Sequence, residues 1–484
     1  MNIIMDNNNN NDDDYDYEMI IGIIIVIIII VLIYVIYRYI YNNKKDCGDT
    51  IDETAIRETH IITQIYNNKK RNPDMPAIYV MKDKIWISVN YEDYYNNAKQ
   101  FALSLNHWLG DNINVLIIGN NSPATYYAYI GCIANNGAVV CLPGTYTKED
   151  YANIINDSDA QMIVAEDDEI LEKIHDIEMK NVKLILYYTK ISESTIDKFK
   201  IPLVSFGVFM DKIDINKKLS IKRWKKINAK YNENNTASII YTQNTDGVMI
   251  THGNINNMLM SLIETINSRK DITQYSVKYG CRIINYQSMN NMMTQFMDIF
   301  YPVYTMGAVY INNNINNNSK KIIKLMRDIK PTIFIGNNNI WNDIAKYSID
   351  NHNKIFVPNY LIKNNILTDI GLEECMCFTY DAQPVNNTYF DTYGIDIYNI
   401  FGINESTGIF AISLPKYHRD KSVGIPIDGL RVKIHMDGEI LIKGNILFAG
   451  YMNNKKKTKK IYDKKWLKTG YHGYMDKGYL FITH

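Results

Sequence analysis

The stretch YTQNTDGVMITHGNI, residues 241–255, sets a short polar turn between the hydrophobic run ASII (237–240) and a segment with helical spacing. A strand, a polar turn and a helix in that order form a scaffold for binding phosphate, because backbone N–H groups at the turn and helix start can face an anion. This turn carries one glycine, Gly247, and one acid, Asp246. The fold depends on whether its surroundings repeat the same strand and helix rhythm.

They do. Upstream, NVLIIG reads as a strand, SPATYYAYIGCIANNG as a helix closed by glycine, and AVVCLPG as a strand. KEDYANIINDSD then gives a helix, AQMIVAED a strand, DDEILEKIHDIEMK a helix and VKLILYY a strand. The alternation recurs in IKLMRDIKPTIFIG and around GIDIYNIFG. Strands alternating with helices of this length predict mainly parallel sheets covered on both faces. Residues 424–450 change to short alternating strands with a hairpin signal at Asp437-Gly438, so a small β-rich subdomain is expected beside the α/β body. The expected division is an acidic tail at 1–18, an anchor at 19–41, a linker at 42–70, an α/β body at 71–415 and a β-rich subdomain at 416–484.

The anchor rests on MIIGIIIVIIIIVLIYVIY, residues 19–37, which carries no charge. As a helix it would span about 28 Å at about 1.5 Å per residue, close to the hydrocarbon thickness of a bilayer. Asp12, Asp13, Asp14, Asp16 and Glu18 precede it and Arg38, Lys44 and Lys45 follow, an arrangement that predicts a single-pass membrane protein with its bulk in the cytosol. Lys+Arg and Asp+Glu are equal at 52 each, and no basic stripe interleaved with aromatics appears, so nucleic acid is not the expected partner. The six cysteines are scattered and read as reduced thiols, and runs of asparagine carry no assigned chemistry.

Several stretches together resemble the adenylate-forming (AMP-binding) superfamily. The opening stretch is similar to that family's YTSGTTGxPKGVxxTHxN loop, and FGINESTG (401–408) to its YGxTE motif. GEILIKGNILFAGYMNN (438–454) and WLKTGYHGYMDKGYLFI (466–482) resemble its GELxxxGxxxxxGYxN and WxxTGDxG segments. NYQSMNNMMTQFMDIFYPVY (285–304) and IKPTIFIGNNNIW (329–341) resemble long-chain fatty acyl-CoA synthetases of the bubblegum type. The resemblance implies the large N-terminal domain of such an enzyme, with ATP, Mg²⁺, a long-chain fatty acid and coenzyme A as its ligands. It implies Glu405 as the Mg²⁺ carboxylate, Thr242, Thr245, Gly247, Asp381, Asn404 and Tyr471 around the nucleotide, and Asn291, Gln295 and Trp341 around the acyl chain. Met289, Met292, Met293, Phe296, Met297 and Phe300 fit either a core helix face or an acyl tunnel wall.

The sequence departs from the family pattern at its chemistry. TQNTD supplies five residues where the pattern has TSGTTGxPK, so glycines and the loop lysine are lost, and Asp246 brings an anion. At about 4 Å and an effective dielectric near 20, a like charge costs about 4 kcal/mol. Asn404 replaces a hydroxyl residue, DAQP (381–384) replaces GAAP, and Asn291 replaces a histidine. Tyr471 stands where the pattern has the ribose-binding aspartate. Hydrogen bonds to a charged group are worth about 1.5–3 kcal/mol, so this change alone predicts an ATP affinity at least about tenfold weaker. The family pattern continues beyond a hinge into a C-terminal domain, which a chain ending at His484 is expected to lack. The expectation is a synthetase-like membrane protein with impaired fatty acid activation. An active divergent ligase and a scaffold paired with a full-length synthetase remain as alternatives.

Overall fold

The computed structural model describes residues 60–241, 246–269, 280–312, 318–352, 359–382 and 388–483. The apolar run at 19–41, Thr242 and Thr245 lie outside the described residues. Within them, no helix is long and apolar enough to cross a membrane.

Three sheets organise the described residues. The first has eight strands, in the spatial order Gly450–Tyr451, Val248–Thr251, Thr236–Ile240, Val139–Leu142, Val115–Ile118, Met162–Ala165, Leu184–Tyr187 and Leu203–Ser205. From Thr236–Ile240 to Leu203–Ser205 the pairings are parallel. The strand cores VLII, VVCL and MIVA are buried throughout, as a parallel sheet covered on both faces requires. Their helices begin with side-chain caps: Ser122 accepts from Thr125 N–H, and Thr147 and Asp150 form a reciprocal capping box.

The second sheet has nine strands, with Ile397–Phe401, Met376–Thr379, Ile333–Gly336, Arg282–Asn285 and Ala308–Ile311 side by side and parallel near its centre. The third has five strands and holds the hairpin that joins Arg431–Ile434 to Glu439–Lys443 around Asp437-Gly438. The strand Ala411–Ile412 pairs with Ile425–Pro426 inside the second sheet, and Gly450–Tyr451 returns to the first, so the β-rich region is stitched into both larger layers.

A buried aromatic cluster ties the first described helix, Ile61–Arg71, to this body. His60 caps it, with Nδ1 accepting from Ile62 N–H at 3.2 Å and Nε2–H facing the Ile133 carbonyl at 3.2 Å. Its ring lies 4.7 Å from Tyr231 and 4.8 Å from His252. Burial holds His60 neutral down to about pH 4 and lowers His252 well below its ordinary value. The unfolded chain therefore binds more protons than the fold between about pH 4 and 6.5, and stability falls as pH drops through that window. For His60 the loss amounts to about 3 kcal/mol. Thermal melts between pH 7.5 and 4 should show it, and His60→Asn, which keeps a cap acceptor, should flatten the acid limb; an unchanged limb would refute the assignment.

Candidate functional site

The strand Ile397–Phe401 ends in Gly402, where a Cβ would stand 1.5 Å from the Gly408 carbonyl oxygen, so only glycine allows the chain to fold back here. The short 3₁₀ turn Asn404–Ser406 is fixed from inside by Ser406 Oγ, which accepts from Ile403 N–H at 3.1 Å. It is fixed from outside by Thr407 Oγ1, which donates to Ile446 O at 2.6 Å. The turn presents Glu405 to a cavity of about 420 Å³.

At this polar end, Tyr451 O–H donates to Glu405 Oε1 at 2.7 Å. Burial and the Glu405 charge push the Tyr451 phenol well above its ordinary range, so it stays a donor. Lys457 lies 4.8 Å from the centre of the Tyr451 ring and pairs with Asp246, which also accepts from Asn454 Nδ2 at 3.2 Å. The anion that the sequence placed near the phosphates is thus paired with a lysine from the helix Lys455–Lys460, and the repulsion expected of Asp246 is largely cancelled. Asn404 Oδ1 accepts from Met292 N–H at 2.9 Å, and its NH₂ has no acceptor among the described residues.

The nucleotide-side residues separate. Tyr471 lines the cavity, its ring edge-on to Phe401 at 5.1 Å. Asp381 does not line it: its carboxylate accepts from Asn338 N–H, the start of helix Asn338–His352. That donor and the helix dipole satisfy the charge locally, so Asp381 stands as a helix-end acid, away from the cavity where the resemblance placed it around the nucleotide. Gly247 is also a packing residue, since a Cβ there would sit 2.7 Å from the Tyr241 ring, whose hydroxyl donates to Asp157 at 2.7 Å.

The acyl-side candidates divide too. Asn291 lines the cavity and caps the helix Met292–Gln295, accepting from Thr294 N–H at 2.9 Å. Gln295 is fully buried and turned into the core: Oε1 accepts from Tyr129 O–H at 2.7 Å and Ser238 O–H at 2.8 Å, and Nε2 donates to Met289 O at 2.7 Å. Trp341 is likewise buried, edge-on to Phe334 and Phe390, with Nε1–H donating to Phe378 O at 3.0 Å. Neither touches the cavity. Of the methionines and phenylalanines that fitted both readings, Met293 and Met297 line the cavity, while Met289, Met292, Phe296 and Phe300 pack in the core.

After Gln295 the helix makes a single π turn, Phe296–Phe300, a distortion that often accompanies functional sites. On it, Asp298 lines the cavity with 5% exposure and accepts from Asn285 Nδ2. Burial raises its carboxyl to about 8. Sequence reasoning gave no role to Asp298, Tyr451 or Lys457. A signal for the first was present, because Asp298 is the one charged residue between Arg282 and Lys320.

The described residues therefore supply one cavity-facing carboxylate at the turn, one lysine paired beside it, and an inner wall of Ile283, Ile335, Met293 and Met297. A Mg²⁺ held mainly by phosphates needs only one or two protein carboxylates, which Glu405 fits. Among the described residues no cluster of three or more histidine, cysteine or acidic side chains forms a metal cage.

Known proteins are similar to this chain in sequence and in fold. The long-chain-fatty-acid–CoA ligase ACSBG2 of Xenopus laevis, a bubblegum-type enzyme, is 26% identical over 464 residues, covering 85% of this chain and 60% of the ligase. The chain thus spans about three-fifths of the length of the curated relatives it matches. Among solved structures, the putative long-chain-fatty-acid CoA ligase from Rhodopseudomonas palustris superimposes with a TM-score of 0.66 at 18% identity, covering 88% of this chain and 99% of that one. The anthranilate CoA ligase AuaEII in complex with anthranoyl-AMP gives a TM-score of 0.70 at 15% identity, covering 89% and 79%. The family described as AMP-binding enzyme matches residues 65–452. With that match, this chain belongs to the AMP-binding enzyme family.

Proposed function

We propose that the cavity binds a long-chain fatty acyl ligand and that ATP-dependent activation of that ligand is impaired. The observation that carries the proposal is Tyr471: at the position where the family pattern has a ribose-binding carboxylate, the cavity is lined by a phenol packed against Phe401. A phenol offers one oxygen and no charge, so it cannot replace a carboxylate that accepts two hydroxyl hydrogen bonds. The wall formed by Met293, Met297, Ile283 and Ile335 supports a hydrocarbon ligand.

A second reading, an active divergent fatty acid–CoA ligase, is favoured by Glu405 and by Lys457, which offsets the Asp246 charge at the polar end. Calorimetry separates the two. Weak ATP–Mg²⁺ binding, a gain of about tenfold on Tyr471→Asp, and fatty acid binding unaffected by that change are expected. Tight ATP–Mg²⁺ binding by the unaltered chain, with no gain from Tyr471→Asp, would favour the active ligase.

A further inference from the structure

The inner cavity contains a group that a plain hydrocarbon ligand does not explain. Asp298 is almost wholly buried, and its Oδ2 is engaged by Asn285 Nδ2, which is held in turn because Asn285 Oδ1 accepts from Asn121 Nδ2 at 2.8 Å. Its Oδ1 has no protein partner among the described residues, and the side chain lines the cavity beside Met297, Ile284 and Tyr286. The titratable groups facing it are Tyr126, on the helix Pro123–Ala134, and Tyr286, which follows the strand Arg282–Asn285. Burial keeps both phenols protonated, so neither supplies a cation to hold a carboxylate charge. Asp298 thus reaches neutral pH largely as the uncharged acid, with one O–H to donate.

A saturated chain lying against that O–H would strip it of water and return nothing. A chain that carries an oxygen at this depth would accept the hydrogen bond. We propose that Asp298 is a specificity-determining residue that makes the cavity select oxygenated acyl chains, bearing a carbonyl or hydroxyl within the chain, over plain ones. This rests on the reading of the cavity as a fatty acyl site.

The test is calorimetric binding of octadecanoate against a positional series of oxo- and hydroxyoctadecanoates, with the unaltered chain, Asp298→Asn and Asp298→Leu. At about pH 6 at least one oxo isomer should bind about tenfold or more tighter than octadecanoate. Asp298→Asn, which still donates, should keep that preference, and Asp298→Leu should abolish it while tightening octadecanoate. At about pH 9.5, above the Asp298 carboxyl, the unaltered chain should lose its preference for the oxo chain but keep one for a hydroxyl chain, because a carboxylate accepts without donating; Asp298→Asn should not change. Octadecanoate binding as tightly as every oxygenated isomer, or a preference that survives Asp298→Leu, would overturn the proposal and leave the fatty acyl reading standing. No binding of any chain to any of the three proteins would remove the fatty acyl reading itself.

Discussion

Replacing Gln295 with leucine is expected to destabilise the protein by about 3–5 kcal/mol, although leucine is apolar and similar in size. Gln295 Oε1 is the acceptor for the Tyr129 hydroxyl, and its Nε2 is a donor to the Met289 carbonyl. Leucine would leave both groups buried without those partners, and each buried orphan costs about 1–3 kcal/mol. Urea unfolding of the variant beside the unaltered chain measures the loss, with fatty acid affinity followed on the folded fraction. A stability change within about 1 kcal/mol together with altered acyl affinity would return Gln295 to the ligand site.

Trp341→Ala carries a second large expectation, a loss of about 3–5 kcal/mol. The indole is fully buried between Phe334 and Phe390, and its N–H bridges to the neighbouring strand at Phe378. Alanine would remove the ring contacts and leave the Phe378 carbonyl without that donor, and the surrounding helices could close only part of the space. Equilibrium unfolding monitored by circular dichroism reads the effect. Trp341→Phe, which keeps most of the volume but not the hydrogen bond, should fall between the two; equality of the phenylalanine and alanine variants would contradict the packing account.

Both residues belong to segments whose resemblance pointed to an acyl site, and their placement marks where the sequence stops being informative. The strand and helix rhythm was readable because apolar runs such as VLII and VVCL need no tertiary information to declare themselves buried strands. The positions of Glu405 and Tyr471 on the cavity were readable from motif order alone. Which face Gln295, Met297 and Asp298 occupy was not, because a period of 3.6 residues fails across a π turn, and this one begins immediately after Gln295. Lys457 was hidden differently. It sits in the run KKKTKK, which reads as a solvated helix face, and only the fold brings it to Asp246, a residue more than two hundred positions earlier.

The short strand Gly450–Tyr451 has a mechanical consequence. It adds to the edge of the first sheet beside Val248–Thr251, with Tyr451 paired to Val248, Ala449 N–H bonded to Met249 O and Met452 N–H bonded to Gly247 O. The segment leaving the polar turn and the segment carrying Tyr451 are therefore a single ribbon. Any movement that opens the cavity must carry both together, so Asp246 and Tyr451 keep their mutual spacing, and the bond from Lys468 N–H to the Ile461 carbonyl, at the end of the helix that carries Lys457, ties the strand of Tyr471 to the same unit.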